Sequence, residues 1–220
     1  MARKAAGNEI KFPKKAFHLE FLNSAQKMAW SAFEQHEVLF LLGPAGSGKS
    51  HLATAFGISE VLSKKKRRII LTRPIVESGE SLGFLPGTFD EKVNPYMLPL
   101  YDCIGKLVGW EGPEREKIDR ALEVAPLAYM RGRTFDDAVC IFDEAQNATF
   151  MQLKLFLTRF GENSKIIVTG DPTQSDLHGN VALSSVVEKL KPEPGIGVIE
   201  FNNSNIVRHP LVGRILERLG

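Results

Sequence analysis

Runs of about five consecutive apolar residues alternate with amphipathic stretches along most of the chain. Such runs are typical of parallel strands covered on both faces, and the stretches between them repeat with the period of a helix. The predicted strands are Val38–Leu42, Arg68–Thr72, 138–143, 165–169 and 197–201. The predicted helices are 23–33, 50–62, 95–108, 113–124, 152–160, 179–190 and 207–219. This alternation predicts an α/β fold with a parallel sheet and helices on both faces.

Two stretches depart from the alternation. Residues 1–16 are polar and basic, which indicates a loose arm, and residues 75–135 contain many glycines and prolines that interrupt long elements. A chain of 220 residues with 43% hydrophobic content has enough apolar side chains for one sizeable core. We therefore expect a single domain over 1–220, with a helical insertion at 84–135.

Charge and cysteine content narrow the class of protein only slightly. The net charge of +2 neither requires nor excludes a nucleic-acid partner. Cys103 and Cys140 do not form a disulfide framework, and Cys140 lies in an apolar run as a small buried hydrophobe. No run approaches the roughly 20 apolar residues of a membrane span, and no signal peptide is visible. We expect a cytoplasmic protein without a membrane partner.

A glycine-rich loop joins the first predicted strand to the following helix. Its residues are Gly43, Pro44, Ala45, Gly46, Ser47, Gly48, Lys49 and Ser50. This spacing is that of a P-loop, in which backbone N–H groups and a helix N-terminus face the phosphates of a nucleotide. We expect Lys49 to reach the β- and γ-phosphates and Ser50 to hold Mg²⁺. The alternative, a glycine-rich turn without a ligand, leaves the flanking strand and helix unexplained.

Two adjacent carboxylates end the strand predicted at 138–143. Asp143 would lie beside the bound Mg²⁺, and Glu144 could polarise a water molecule for attack on the γ-phosphate. A kinase acting on a small molecule does not need a carboxylate at the second position, so Glu144 favours hydrolysis. The alternative is a solvated Asp-Glu pair that opens a turn.

A third polar segment, Thr-Gly-Asp-Pro-Thr-Gln at 169–174, follows the next strand. Ligands of open α/β sheets bind at the carboxyl ends of the strands. We therefore expect Gln174 to bond the γ-phosphate or the attacking water, with Asp171 orienting it. The alternative is an ordinary Gly-Asp-Pro turn.

These three segments resemble motifs I, II and III of superfamily 1 helicases. The chain also resembles the PhoH family of phosphate-starvation-inducible ATPases, over about residues 20–218. This resemblance rests on the sequences at 70–87, 99–102 and 207–212, which include Leu-Thr-Arg-Pro and Gly-Glu-Ser-Leu-Gly-Phe-Leu-Pro-Gly. The resemblance implies a RecA-like ATPase core with ATP and Mg²⁺ as cofactors and an RNA-related activity. Ser175 and His178 depart from the family pattern, so it does not extend to the contacts of that loop.

The resemblance also assigns two residues outside these motifs. Gln26 is similar to a glutamine that reads adenine and thereby selects ATP, and Arg73 is similar to motif Ia near the nucleotide or the nucleic-acid strand. Gln26 could instead be an exposed helix residue. Arg73 could instead pair with a local carboxylate such as Glu77.

Few residues follow Gln174, fewer than the second RecA-like domain of a helicase requires. Such a domain supplies arginines to the γ-phosphate, so either the protein is a slow ATPase or the arginine comes from another chain. Arg208 is the candidate, and the family resemblance implies ring-shaped oligomers, with a hexamer expected. Alternatively, Arg208 caps or pairs within its own subunit. Arg214 and Arg218 are expected to be solvated.

Two sets of cations could contact nucleic acid. The run Lys-Lys-Lys-Arg-Arg at 64–68 would attract phosphates, although its place before a strand favours a solvated face. Lys92, Arg131 and Arg133 are rivals if RNA passes through a ring. The sequence thus predicts an ATPase that moves on or remodels single-stranded RNA or DNA. The alternative is a nucleotide-gated scaffold that regulates a partner such as a ribonuclease, without translocation.

Overall fold

The structure, a computed structural model, describes residues 17, 19–74, 89–175, 181–207 and 218, with 89–94 described by their backbone. The predicted arm at 1–16, most of the predicted terminal helix and the start of the predicted insertion lie outside these residues. So does Arg208. The fold is described below from the remainder.

Six helices and six strands make up the described part of the fold. The helices are α1 Ser24–Gln35, α2 Lys49–Leu62, α3 Phe89–Val108, α4 Pro113–Ala121, α5 Phe150–Leu157 and α6 Ala182–Leu190. The strands are β1 Val38–Leu42, β2 Arg68–Thr72, β3 Leu122–Val124, β4 Ala138–Phe142, β5 Lys165–Gly170 and β6 Ile196–Glu200. Every pairing is parallel, in the order β3-β2-β4-β5-β1-β6. This confirms the predicted parallel α/β sheet.

The hydrophobic core lies on both faces of the sheet, as the continuous apolar runs predict. On one face the rings of Phe33 and Phe56 stack at 4.9 Å between centroids, and on the other Phe142 and Phe156 lie 4.9 Å apart. Cys140 is buried in β4, and burial raises the pKa of its thiol to about 12. Its predicted role as a small buried hydrophobe is confirmed.

The predicted C-terminal boundary of the helix at 113–124 was wrong. Helix α4 stops at Ala121, and Leu122–Val124 forms the edge strand β3, which pairs Leu122 with Ile69 and Val124 with Leu71. Helical periodicity continued through these residues, but the open edge of β2 supplied backbone partners that a local pattern does not reveal.

Three other helix boundaries also differ from the prediction. Helix α3 begins at Phe89 and contains Pro95 and Pro99, where a break was expected. Helix α5 covers Phe150–Leu157 rather than 152–160, because Thr149 forms a capping box with Gln152. The described part of α6 begins at Ala182, later than predicted.

No helix in the described part of the chain is both long enough and apolar enough to span a membrane.

Candidate nucleotide-binding site

The three polar motifs lie at one edge of the sheet. The P-loop follows β1, the Asp143-Glu144 pair follows β4, and the segment beginning at Asp171 follows β5. Strand β5 lies between β1 and β4, so its end separates the P-loop from the carboxylates by one strand. The carboxyl ends of parallel strands are where α/β sheets bind ligands.

The P-loop backbone depends on its glycines. Gly46 and Gly48 have φ values of 86° and 89°, in the left-handed region that residues with a side chain seldom adopt. At Gly43, a side chain would overlap the backbone of Phe201. The 14-residue helix α2 begins immediately after the loop, so its free N–H groups and positive dipole end face the site.

Lys49 lies inside the loop. Its Nζ donates to the carbonyl oxygens of Gly43 at 2.6 Å and Pro44 at 2.9 Å. These bonds hold the ammonium at the mouth of the loop, where it could exchange carbonyl oxygens for phosphate oxygens. Pro44 O also accepts from the Ser47 hydroxyl at 2.8 Å.

The two predicted metal ligands are in contact. The Ser50 hydroxyl donates to Asp143 Oδ1 at 2.6 Å, and the Thr169 hydroxyl donates to the same oxygen at 2.5 Å. Asp143 is only 2% exposed. A hydroxyl and a carboxylate are oxygen donors of the kind Mg²⁺ prefers, with its other positions filled by phosphate and water. Ser50 and Asp143 therefore fit a magnesium ion bound together with a nucleotide.

Thr169 was not singled out from the sequence, although a signal for it exists. It is a buried polar residue at the end of the apolar run Ile-Ile-Val in β5. Its hydroxyl gives Asp143 a second donor and so fixes the carboxylate. A polar residue at the inward tip of a central strand is a pattern that could have indicated this role.

Glu144 is held by two neighbours. Its backbone is left-handed, with φ 54° and ψ 41°, an uncommon conformation for a residue with a side chain. Oε1 lies 3.3 Å from Arg73 Nη2, and Oε2 accepts from Gln146 Nε2 at 2.5 Å. Arg73 thus pairs with the neighbouring motif, whereas the alternative partner Glu77 lies outside the described residues.

Gln146 links two of the motifs and was not predicted as a site residue. It is 8% exposed, and its Oε1 accepts from the backbone N–H of Asp171 at 3.1 Å. One buried amide therefore joins Glu144 to the segment after β5. Gln174 itself is exposed, and its N–H donates to Asp171 O at 3.1 Å. Asp171 Oδ1 accepts from both the N–H and the hydroxyl of Thr173.

Gln26 lies against the P-loop. Its side chain accepts from Leu22 N–H at 2.8 Å and donates to Ser47 O at 3.3 Å. With 4% exposure it is buried, so the alternative of an exposed helix residue was wrong. A side chain at Gly48 would come within 3.1 Å of Gln26 Nε2, which ties the loop glycine to this amide.

The residues of three motifs enclose a small cavity. It measures about 180 Å³ and is lined by Ala45, Gly46, Gly48, Lys49, Ser50, His51, Asp143, Glu144, Thr169 and Gly170. His51 was not predicted at the site. Burial, and next to it the charge of Lys106, lowers the pKa of His51, so its neutral form is favoured.

The basic run at 64–68 is largely paired within the fold. Lys66 donates to Asn163 Oδ1 at 2.6 Å, and Arg67 lies 3.6 Å from Asp137. Lys65 and Arg68 pair with Glu60 and Glu123. Of the rival cations, Arg133 pairs with Glu123, Arg131 is exposed, and the side chain of Lys92 lies outside the described residues. Arg218 is exposed, as predicted for a solvated residue.

Known proteins are similar in sequence to most of this chain. The family model described as PhoH-like protein matches residues 18–219. A PhoH-like protein of Bacillus subtilis (strain 168) is 49% identical over 189 residues, covering 85% of this chain and 59% of that protein. Protein PhoH of Escherichia coli (strain K12) is 42% identical over 199 residues, covering 88% of this chain and 56% of that protein. The chain thus spans less than two thirds of these relatives.

Among solved structures, the large terminase from a thermophilic bacteriophage superposes with a TM-score of 0.55 over 90% of this chain and 50% of that chain. Its sequence identity is 11%, so this likeness concerns the fold alone. The fold is that of a P-loop NTPase, with helices around a parallel sheet. From the family match and the identity of these relatives, the chain belongs to the PhoH-like protein family.

Proposed function

We propose that this chain binds Mg-ATP at the P-loop edge and hydrolyses it. The observation that carries the proposal is the 2.6 Å bond between Ser50 and Asp143, which joins the P-loop to the Asp-Glu motif. Glu144 follows at the same edge and lines the same cavity. A phosphate cradle, a metal-ligand pair and a neighbouring carboxylate are the parts that ATP hydrolysis requires.

Each part has a proposed role. The backbone at 43–50 and Lys49 hold the phosphates, and Gln26 contacts the adenine. Ser50 and Asp143 hold Mg²⁺, which neutralises phosphate charge when bound. Glu144 accepts a proton from the attacking water, and Gln174 bonds the γ-phosphate.

Single-stranded RNA or DNA is the proposed macromolecular partner. Exposed side chains at the carboxyl edge include Tyr129, Phe150 and Met151, on which bases could stack. The exposed cations Arg131 and Lys154 lie in the same two segments and could contact phosphates. This combination of aromatic and basic side chains favours a nucleic-acid motor or remodeller over a scaffold that regulates a protein partner.

We also propose a homo-oligomeric ring, a hexamer, in which Arg208 of one subunit completes the site of the next. An arginine at the γ-phosphate accelerates hydrolysis roughly 10³–10⁵-fold. Val207 N–H donates to Gly46 O of its own P-loop at 2.8 Å, so action within one subunit is the competing arrangement. Mixing Arg208→Ala and Lys49→Ala subunits distinguishes them. A shared site restores ATPase activity after subunit exchange, and a site completed within one chain does not.

The direct test of the proposed chemistry compares Glu144→Gln with Glu111→Gln, which removes an exposed carboxylate that does not line the cavity. We expect Glu144→Gln to lower Mg-dependent ATP hydrolysis about 100-fold or more, the usual contribution of a general base. Affinity for ATP should change less than about threefold, since the phosphate contacts remain. Full hydrolysis by Glu144→Gln would contradict the assignment.

The same assay separates the two functional classes. A motor is stimulated several-fold by single-stranded RNA or DNA at low salt. A scaffold responds to its protein partner and shows no such stimulation.

A further inference from the structure

Arg73 lies between Glu144, at the carboxyl edge of the sheet, and a second cavity. One guanidinium nitrogen lies 3.3 Å from Glu144, and the other donates to Tyr96 O of α3 at 3.2 Å. With Gln146 on Oε2, each oxygen of Glu144 has a partner. In this arrangement the carboxylate is turned toward Arg73 and Gln146, which compete with a water molecule for it.

The second cavity measures about 210 Å³ and lies at the carboxyl ends of β2 and β3. Its lining includes Thr72, Arg73, Tyr96, Leu127 and Gln152. The Thr72 hydroxyl is buried there and has no hydrogen-bond partner in the described part of the chain. Buried hydroxyls are nearly always bonded, so this one is a polar group beside the cavity whose partner is not among the described residues.

The rim of this cavity suits a strand of nucleic acid. Tyr129 belongs to the short helix that begins with the lining residue Leu127, and Met151 precedes the lining residue Gln152. Tyr129 is 56% exposed and Met151 is 69% exposed. Apolar faces beside cations accept bases and phosphates together, whereas a phosphate ion alone would leave the apolar faces unused.

We propose that Arg73 is a latch on Glu144, released when a phosphate of single-stranded nucleic acid in this cavity takes over the guanidinium. This proposal rests on the proposed role of Glu144 in ATP hydrolysis. Arg73 acts here as a positioning residue, because it controls the orientation of the carboxylate without touching ATP. Phosphate is a fitting competitor because the planar guanidinium bonds phosphate and carboxylate oxygens alike.

The ion pair between Arg73 and Glu144 is weak. Arg73 and Glu144 have side chains 23% and 37% exposed, and ion pairs at such exposure change an equilibrium only about two- to fivefold. A single phosphate contact could therefore open it. Coupling of this kind is reciprocal in binding, so freeing Arg73 from Glu144 must strengthen nucleic-acid binding by the same factor.

The hydrolysis arm of the test compares Arg73→Gln with Arg120→Gln, which removes an arginine paired with Glu116 on α4. We expect Arg73→Gln to raise ATPase activity without nucleic acid about two- to fivefold and to lose stimulation by a single-stranded RNA oligonucleotide. Arg120→Gln should match the unaltered protein in both measurements. A fall in basal activity would show that Arg73 assists hydrolysis and would overturn the latch.

The binding arm needs no hydrolysis. Fluorescence anisotropy of a labelled single-stranded RNA oligonucleotide, without nucleotide, is measured for Glu144→Ala and for Arg73→Gln/Glu144→Ala. We expect Glu144→Ala to bind about two- to fivefold more tightly and the double variant to lose that gain. Unchanged affinity, or no binding by either protein, overturns the proposal. If the protein hydrolyses no ATP, the proposed function fails, and this arm still decides whether Arg73 is restrained by Glu144.

Discussion

Charged side chains at the amino edge of the sheet have different partners from those at the carboxyl edge. At the amino edge, Lys66 bonds Asn163 and Arg67 lies against Asp137, with these side chains partly or fully exposed. At the carboxyl edge, Asp143 is buried and receives two neutral hydroxyl donors. Burying a carboxylate is costly unless it is hydrogen-bonded or paired, and a bound cation would offset that cost further.

The amino-edge charges therefore contribute to the fold, whereas buried Asp143 is suited to binding a ligand. The amino-edge cations have partners within the chain, so a nucleic-acid phosphate would have to displace them. This favours the solvated-face interpretation of residues 64–68. At the carboxyl edge, Glu144 is paired with Arg73, whereas Asp143 would gain a cationic partner when Mg²⁺ binds. Substitutions at the two edges should therefore affect different properties.

The largest expected contrast is between Asp143→Asn and Asp137→Asn. Asp143→Asn should lower ATPase activity by about 10²–10³, as loss of one key electrostatic contact does, without lowering thermal stability. Stability is retained because an amide oxygen can accept from Ser50 and Thr169 without the desolvation of a charge.

Asp137→Asn is the matched control. Asp137 has φ 50°, a conformation that asparagine tolerates, so the fold should accept the change. ATPase rates and thermal melts of both variants check the comparison. It would fail if Asp143→Asn kept more than about a tenth of the activity, or if Asp137→Asn lost as much.

A smaller contrast is expected in nucleic-acid binding. Arg131→Gln/Lys154→Gln should reduce the salt dependence of single-stranded RNA affinity, by about one unit of log-log slope per lost phosphate contact. Lys66→Gln/Arg67→Gln should leave the slope unchanged and lower the free energy of unfolding by less than about 1 kcal/mol per pair. Anisotropy titrations between low and physiological salt measure both slopes. A larger slope change at 66 and 67 would reverse the assignment of the two edges.

The smallest effect concerns His51 and pH. Its lowered pKa means that the unfolded chain binds a proton at this residue more readily than the folded protein does. Stability should therefore fall as pH drops below about 6.5 toward the lowered pKa, and should be unaffected by this residue above that value. His51→Asn should weaken this acid-side loss. Urea unfolding at neutral and mildly acidic pH measures it, and an equal loss in both proteins would exclude His51 as the cause.

Local sequence patterns predicted most of the fold and the centre of the site. The apolar runs identified five of the six strands, and the P-loop spacing placed Lys49 and Ser50 at the start of the helix after the loop, where the structure has them. Strand β3 was missed because its partner β2 lies about 50 residues earlier, beyond any local pattern. The contacts of Gln146 and Arg73 were missed for a similar reason, since each joins segments from different strands.

The predicted partner of Glu144 was water, and the structure adds two protein neighbours. Glu144 has a left-handed backbone there, a conformation that its local sequence does not predict. For Gln26 the sequence left an exposed helix residue as the alternative to adenine binding, and the structure instead buries its side chain against the P-loop.

Gly170 connects the P-loop to the segment that follows β5. Its carbonyl accepts from Gly43 N–H at 3.1 Å, and a side chain in its place would collide with Leu183 and Gln146. One backbone hydrogen bond thus joins the start of the P-loop to the end of β5. A displacement of the 171–175 segment would therefore also move the carbonyl that Gly43, the first residue of the P-loop, bonds.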